Sequence, residues 1–402
     1  MSMNRTSYLE QVSRRSEQCH TKYRDRPWKA NFNFWIWHLG QLFAFKRSMR
    51  PKSDNVCRIG FLLRGGVGDM LISLNYLQNF HRFLGESFAF DLYVQKKEGL
   101  CEIVQTLCQE QHFVKQVLPT SQVKRDYDLY IEILGYPDIL YFNESKIHSL
   151  SPKLHQWCLA VNQFRRDNFV AFRTGTSGSY IGNRLAMLQG HNRLQLADIG
   201  NFVQVESVYQ PKILIDLHET LDKFSLGNTR FITLHRGIGH RTANDGMKLW
   251  PQKYYETLAR LIKEQMPDVC LVQIGVKERL PINGIDKDLR GQTSFEEAMV
   301  LMRQSSCHID GEGGFVHLRH FLHGGTSVVL FGPTDKQFYG YAENINLLSD
   351  ACAGGCEWMT AVYSTKCPRG FKDNKCLTSL SPETVLSHVI KTLETEPIAS
   401  KN

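Results

Sequence analysis

Two series of short apolar runs, each run giving way to an amphipathic stretch, constrain this chain more than anything else in it. In the first, VCRIGFLL reads as a buried strand, RGGVGD as a glycine loop, and MLISLNYLQNFHRFLG as a helix with Leu71, Leu74 and Leu77 on one face. FAFDLYV, VKQVL and DLYIEILG continue it as strands, and EGLCEIVQTLCQEQ as a helix. The second starts near Arg230: RFITLHR, VCLVQIG, CHIDG and SVVLFG are strands, and PQKYYETLARLIKEQ, SFEEAMVLMRQ and FVHLRHFLHG are helices among them. Such alternation predicts α/β domains with parallel, doubly wound sheets, since parallel neighbours need a crossover long enough to hold a helix. Two series within 402 residues predict two domains. We place the first at 53–222 and the second at 223–380, with a C-terminal helix and tail at 381–402 opened by a Ser-x-x-Glu-like cap at Ser381. Residues 140–212 are less regular and complete the first domain with helices and loops.

Charge sets a further segment apart. Residues 1–52 carry eleven Lys and Arg against three acids, which matches the net charge of +8, and the other residues balance. In this basic arm the 16 residues between Lys29 and Lys46 are uncharged and put Phe32, Trp35, Ile36, Leu39, Leu42 and Phe43 at helical spacing. That stretch is too short to span a bilayer. It fits a helix lying on an anionic membrane surface, or one packed on the protein or on a second subunit of a homo-oligomer. The N-terminus lacks the apolar core of a secretory signal, so the chain is expected to be cytoplasmic, peripheral on the inner membrane face where the arm binds lipid. Nucleic acid is not among the expected partners.

Ligands of open α/β sheets sit beyond the carboxyl ends of the strands, and three loops there stand out. Arg64-Gly65-Gly66-Val67-Gly68-Asp69 leads into a helix; its glycines let backbone amides approach an anion, and Asp69 suits either a helix cap or a reacting carboxylate. It is neither a dinucleotide fingerprint nor a phosphate-binding P-loop. The segment from His235 to Pro251 brings Arg236, Arg241 and Lys248 toward one helix start, a cationic setting for a diphosphate or simply a solvated basic loop. Asp310-Gly311-Glu312-Gly313-Gly314-Phe315-Val316-His317 joins strand-end acids to glycines, which suits sugar hydroxyls and phosphate but also a plain tight turn.

Taken in order, Gly-x-Gly-Asp, Lys-x-Trp-Pro and the acid-x-Gly-x-x-His motif followed by VVLFGPT resemble the ADP-heptose:lipopolysaccharide heptosyltransferases, glycosyltransferase family nine. The resemblance covers residues 55–390 and is clearest from about 230 onward. It implies the GT-B fold of two facing Rossmann-like domains and an inverting transfer that needs no metal or other cofactor. On the matching positions, Asp69 would be the general base toward the acceptor hydroxyl. Lys248 would hold the donor diphosphate and stabilise the leaving group. Gly66, Gly68, Arg236 and Arg241 would line the donor; Glu312, Gly313, Gly314 and His317 would form its signature; Glu278 would fall where the family binds the ribose. Partners implied are a nucleotide-sugar donor, with ADP-heptose foremost, and a lipopolysaccharide or other glycan acceptor.

The chain departs from the family in having Glu312-Gly313-Gly314 where an Asp, a hydroxyl residue and Gly are usual, with Asp310 two residues earlier. Asp286-Lys287-Asp288 has the form of a metal-binding Asp-x-Asp but falls in a polar connection and reads as a loop. Of eleven cysteines, Cys352, Cys356, Cys367 and Cys376 cluster; the first pair has metal-ligand spacing and the second is too far apart for a standard zinc ribbon. In the family branch that glycosylates autotransporter proteins such cysteines bind iron, so structural iron or zinc, a reduced packing cluster and a disulfide all stay open. Three other functions also remain open: an autotransporter-type protein O-heptosyltransferase, a non-catalytic sugar-nucleotide-binding module, and a GT-B epimerase.

Overall fold

The computed structural model describes residues 46, 48–85, 87–95, 99–168, 180–237, 246–359 and 363–395. The apolar helix expected within the basic arm lies outside them. The chain divides into two compact units: Met1–Gly182 with Leu194–Val208, and Asn183–Arg193 with Tyr209–Asn402. The division comes at Val208, ahead of the boundary expected at 222, because the preceding chain is tied down within the first unit. Asp198 accepts hydrogen bonds from the amides of Val203 and Val205, and the carboxamides of Asn75 and Asn79 hold Glu206 and Val208. Tyr209 then packs edge-on against Phe321 of the second unit.

The first unit is built on a five-stranded sheet of order β3-β2-β1-β4-β5. Its strands are β1 (Ile59–Leu63), β2 (Phe90–Val94), β3 (Val114–Pro119), β4 (Leu129–Ile133) and β5 (Asp138–Phe142). β1 to β4 are parallel, as the alternation with helices predicts, and β5 returns antiparallel on β4 at the edge, running into the stretch expected to be helices and loops. Helix α1 (Val67–Leu84) follows β1 and is buried almost all round between Met70 and Leu77, a wider face than the leucine stripe alone. Phe80 packs on Phe61 of β1 and Phe90 of β2 with ring centres 6.0 and 5.9 Å apart, which fixes the helix layer to the sheet. The remaining helices are α2 (Leu100–Leu107), α3 (Glu144–Leu150) and α4 (Pro152–Asp167).

The second unit holds a six-stranded, wholly parallel sheet of order β11-β10-β9-β6-β7-β8. The strands are β6 (Phe231–His235), β7 (Cys270–Ile274), β8 (Lys287–Asp288), β9 (Cys307–Gly311), β10 (Ser327–Leu330) and β11 (Ile345–Leu347). The Asp286–Asp288 segment is therefore an edge strand with its turn, not a loop. Asp286 accepts from the Leu271 amide and from Lys263, and Asp288 pairs with Arg290, so both acids serve the fold.

Helix α5 (Tyr180–Leu188), which belongs to this unit from Asn183 onward, precedes α6 (Leu217–Lys223), α7 (Gln252–Gln265), α8 (Phe295–Gln304), α9 (Gly314–Phe321), α10 (Lys336–Tyr339), α11 (Lys375–Thr378) and α12 (Pro382–Thr395). Ser294 and Glu297 form a reciprocal capping box on α8. At α12 the Ser381 hydroxyl accepts from the Thr384 amide, so the third position of that cap is Thr384 rather than a Glu. α12 packs into the core of this unit through Val385, Leu386, Val389 and Leu393 and is not a separate appendage. No helix among the described residues is long and apolar enough to cross a membrane.

Candidate active site

Each sheet changes direction once. In the first unit the strand order reverses between β1 and β4, and in the second between β6 and β9; a crevice opens at such a point beyond the carboxyl ends of the strands. The loops singled out in the sequence leave the sheets at these two places.

In the first unit, Arg64 ends β1 and pairs with Glu132 of β4 at 3.3 Å. Burial pushes the Glu132 carboxyl up, against the pull of Arg64. Gly65 then turns with φ +110°, Gly66 caps α1 in extended conformation, and Gly68 is buried in the first helical turn. Asp69 is three residues into the helix, and its Oδ2 accepts the Gly66 amide at 2.9 Å. It is thus not the cap residue itself but closes the cap from within, with the carboxylate half-exposed beside the glycine loop. A Cβ at Gly65 would come 2.3 Å from Asp69 Oδ2, so the first glycine makes room for this carboxylate. Gly65→Ala is expected to destabilise the fold by about 1–3 kcal/mol through the disfavoured φ. It also displaces Asp69, which chemical denaturation and donor turnover measured on the same preparation detect together.

In the second unit the tertiary fold assembles Lys248, Glu312, Gly313, Gly314 and His317. Trp250, fully buried, donates its indole N–H to the Leu380 carbonyl at 2.9 Å and packs edge-on against Tyr255. Asn374 donates to the carbonyls of Gly246 at 2.9 Å and Leu249 at 2.6 Å, clasping the turn between them. Lys248 rides on that turn and places Nζ 2.9 Å from Glu312 Oε2, with side-chain exposures of 14% and 9%. Glu312 follows β9, and Gly313 and Gly314 open α9 just beyond it. His317, one turn in, lies 3.8 Å from the other Glu312 oxygen and bonds through Nδ1 to the Tyr341 hydroxyl at 2.7 Å. Burial alone would raise the Glu312 carboxyl; Lys248 and His317 outweigh it and hold the group well below the usual carboxylate range. The result is an ionised acid and an ammonium side by side at a helix N-terminus, where an incoming anion competes for the lysine.

Arg236 stands half-buried at the end of β6, and Arg279 packs over Gly237, whose Cβ position would lie 2.7 Å from its Nε. Burial, with repulsion from Arg279, pushes the Arg236 guanidinium down, and its Nε is buried without a hydrogen-bond partner among the described residues. Arg279 was not among the expected site residues; it lies next to Glu278, which is exposed on the turn after β7. Arg241 lies outside the described residues. Asp310 is turned away from a ligand role: 1% exposed, it bonds His235 Nδ1 at 2.8 Å and its own following amide, with His308 at 3.6 Å. This buried His–Asp–His set ties β6 to β9.

One buried carboxyl had no signal in the sequence. Burial, joined by repulsion from Asp335 and Glu312, pushes Glu357 up to about 7 from 4.5. Between those values the unfolded chain releases the proton first, so folding stability falls as pH rises from about 4.5 to 7, by about 3 kcal/mol in all. Below that window the penalty is absent, and above it the penalty is complete. Urea melts from pH 4.5 to 8 are expected to show this slope in the parent chain relative to Glu357→Gln, with equal slopes refuting it.

Cys352, Cys356, Cys367 and Cys376 all line one cavity of about 10 Å³, the room of a single water. They are free thiols, and burial raises Cys356 and pushes Cys376 up to about 12. Among the described residues, no group of three or more His, Cys, Asp or Glu stands placed to hold a metal ion.

No family model matches the sequence, and no curated protein matches it. Among solved structures, a glycosyl transferase family 9 protein from Veillonella parvula is similar at 14% identity, covering 86% of this chain and 100% of that one, with a TM-score of 0.54. The dodecameric iron-containing heptosyltransferase TibC, solved with ADP-D-beta-D-heptose, is similar at 11% identity, covering 86% of this chain and 78% of that one, with a TM-score of 0.55. At such identities the likeness speaks for architecture. With its two parallel-sheet α/β units, the chain has the GT-B fold.

Proposed function

We propose that this chain is a glycosyltransferase of the family-nine, heptosyltransferase kind, moving a sugar from a nucleotide-diphosphate donor, foremost ADP-heptose, to a hydroxyl of a lipopolysaccharide or other surface-glycan acceptor. The observation that carries the reading is the Lys248–Glu312–His317 group at the direction change of the second sheet, with Arg236 and Arg279 at the neighbouring strand ends. In inverting transfer the acceptor oxygen forms the new bond to the anomeric carbon as the bond to the diphosphate breaks. Asp69 takes the acceptor proton, and Lys248, with the two arginines, meets the negative charge gathering on the leaving diphosphate. Cations and helix-end amides thus perform the task a metal performs elsewhere. GT-B neighbours include a protein solved with ADP-D-beta-D-heptose, which supports placing that donor first.

Purified protein is tested by thermal shift against ADP-heptose, ADP-glucose, GDP-mannose, UDP-glucose and CDP-glucose, since a ligand bound only by the folded state raises the melting temperature. Radiolabelled transfer to deacylated lipopolysaccharide, and in parallel to a serine-rich protein acceptor, then identifies the acceptor class. A response to ADP-heptose with label on glycan supports the reading; label on protein alone shifts it to a protein hydroxyl. Silence across the whole donor panel overturns it.

A further inference from the structure

Thr334 and Glu357 are two buried side chains that neither packing nor the transfer chemistry accounts for. Thr334 lies in the loop that leaves β10, and Glu357, in the segment after β11, is tied back to that loop where the amides of Cys356 and Glu357 donate to the Pro333 carbonyl at 2.7 and 3.1 Å. Thr334 is 2% exposed and Glu357 1%. Thr334 Oγ1 and Glu357 Oε2 are each buried without a hydrogen-bond partner among the described residues, while backbone amides at Asp335 and Glu357 bond the Glu357 carboxyl. Buried polar atoms are nearly always bonded, so these two call for a partner, an ordered water or a ligand group.

Their position narrows the partner. β9 and β10 are parallel neighbours, with Gly311 opposite Leu330, so the Glu312 loop and the Thr334 loop leave the same, carboxyl end of the sheet. Burial and then the carboxylates, Glu312 and Glu357 among them, raise the Tyr339 phenol, which places both acids within electrostatic reach of one ring. A diphosphate does not suit a carboxyl, and the cations that suit it stand toward β6 and β7. Hydroxyl groups do suit the pair: a carboxyl oxygen accepts from a sugar O–H, and a threonine hydroxyl both donates and accepts.

We propose that Thr334 and Glu357 bind hydroxyls of the donor's glycosyl moiety and thereby select which sugar is transferred. The proposal rests on the second unit being the nucleotide-sugar domain. A pocket built to bond a hydroxyl rejects a ligand lacking it far more strongly than an apolar pocket does. The pair would therefore act as positioning residues for the sugar and leave the nucleotide untouched.

Calorimetric titration separates the two ends of the donor. Parent, Thr334→Val and Glu357→Met chains are titrated with ADP, GDP, UDP and CDP, and with the five nucleotide sugars of the thermal-shift panel. The expected result is nucleoside-diphosphate affinity within twofold of the parent, with affinity for the responding nucleotide sugar down about tenfold or more in each variant. Thr334→Ser and Glu357→Gln, which keep hydrogen-bonding capacity, should recover most of it, which a role in loop packing would not produce. Equal loss for nucleotide and nucleotide sugar, or no loss in either, overturns the proposal while leaving the transferase reading intact. A parent chain that binds no member of either panel overturns both.

Discussion

Asp69→Asn is expected to lower turnover by about 10³-fold, within a range of roughly 10²–10⁴, and to leave donor affinity within twofold of the parent. The substitution discriminates because of what it preserves. Asp69 Oδ2 accepts the Gly66 amide at 2.9 Å, and the Asn carbonyl oxygen can accept the same bond, so the start of α1 stays closed. What disappears is the ability to take a proton, together with one negative charge near a helix N-terminus, worth less than about 1 kcal/mol. A chain in which Asp69 serves only the cap would keep its turnover as Asn. Kinetics with the responding donor, alongside a thermal melt, read both quantities. Full activity in Asp69→Asn would remove the carboxylate from the chemistry.

Lys248→Met has the largest combined effect on stability and activity. It deletes the ammonium 2.9 Å from a nearly buried carboxylate and leaves Glu312 with His317 at 3.8 Å. Removing one partner of a buried pair costs about 3 kcal/mol, mainly because the remaining charge is poorly solvated. Turnover is expected to fall by about 10²–10³-fold as charge stabilisation on the leaving diphosphate is lost. The two effects separate in the double variant Lys248→Met/Glu312→Gln, where the stranded charge is also removed. Stability should return toward the parent while turnover stays low. If turnover returned with stability, Lys248 would be a structural partner of Glu312 and nothing more.

Much of this architecture was legible because parallel strands buried on both faces leave continuous apolar runs. VCRIGFLL, RFITLHR, VCLVQIG and CHIDG each contain the strand they suggested, β1, β6, β7 and β9. The Pro251 start of α7 was legible because proline's fixed φ and missing N–H suit the beginning of a helix. β5 was not, because an antiparallel edge strand lacks the double-sided burial that makes the others conspicuous. β8, two residues long, carries no periodicity at all.

The candidate site residues divide along the same line. Asp69, Lys248, Glu312 and His317 could be named from loops of fixed spacing, because glycines and helix starts leave marks within a few residues of the side chains they position. Their electrostatic state could not. That Lys248 and Glu312 form one buried pair depends on Asn374 and Trp250 anchoring a turn more than sixty positions from Glu312. Likewise Arg279 reaches Gly237, Asp310 holds His235, and the Glu357 amide bonds Pro333, each across tens of residues. Periodicity and turn chemistry are short-range properties and survive in a string of residues. Burial, charge pairing and the orphaned oxygens of Thr334 and Glu357 arise only when distant segments exclude water from the same place, and those were decided by the folded chain.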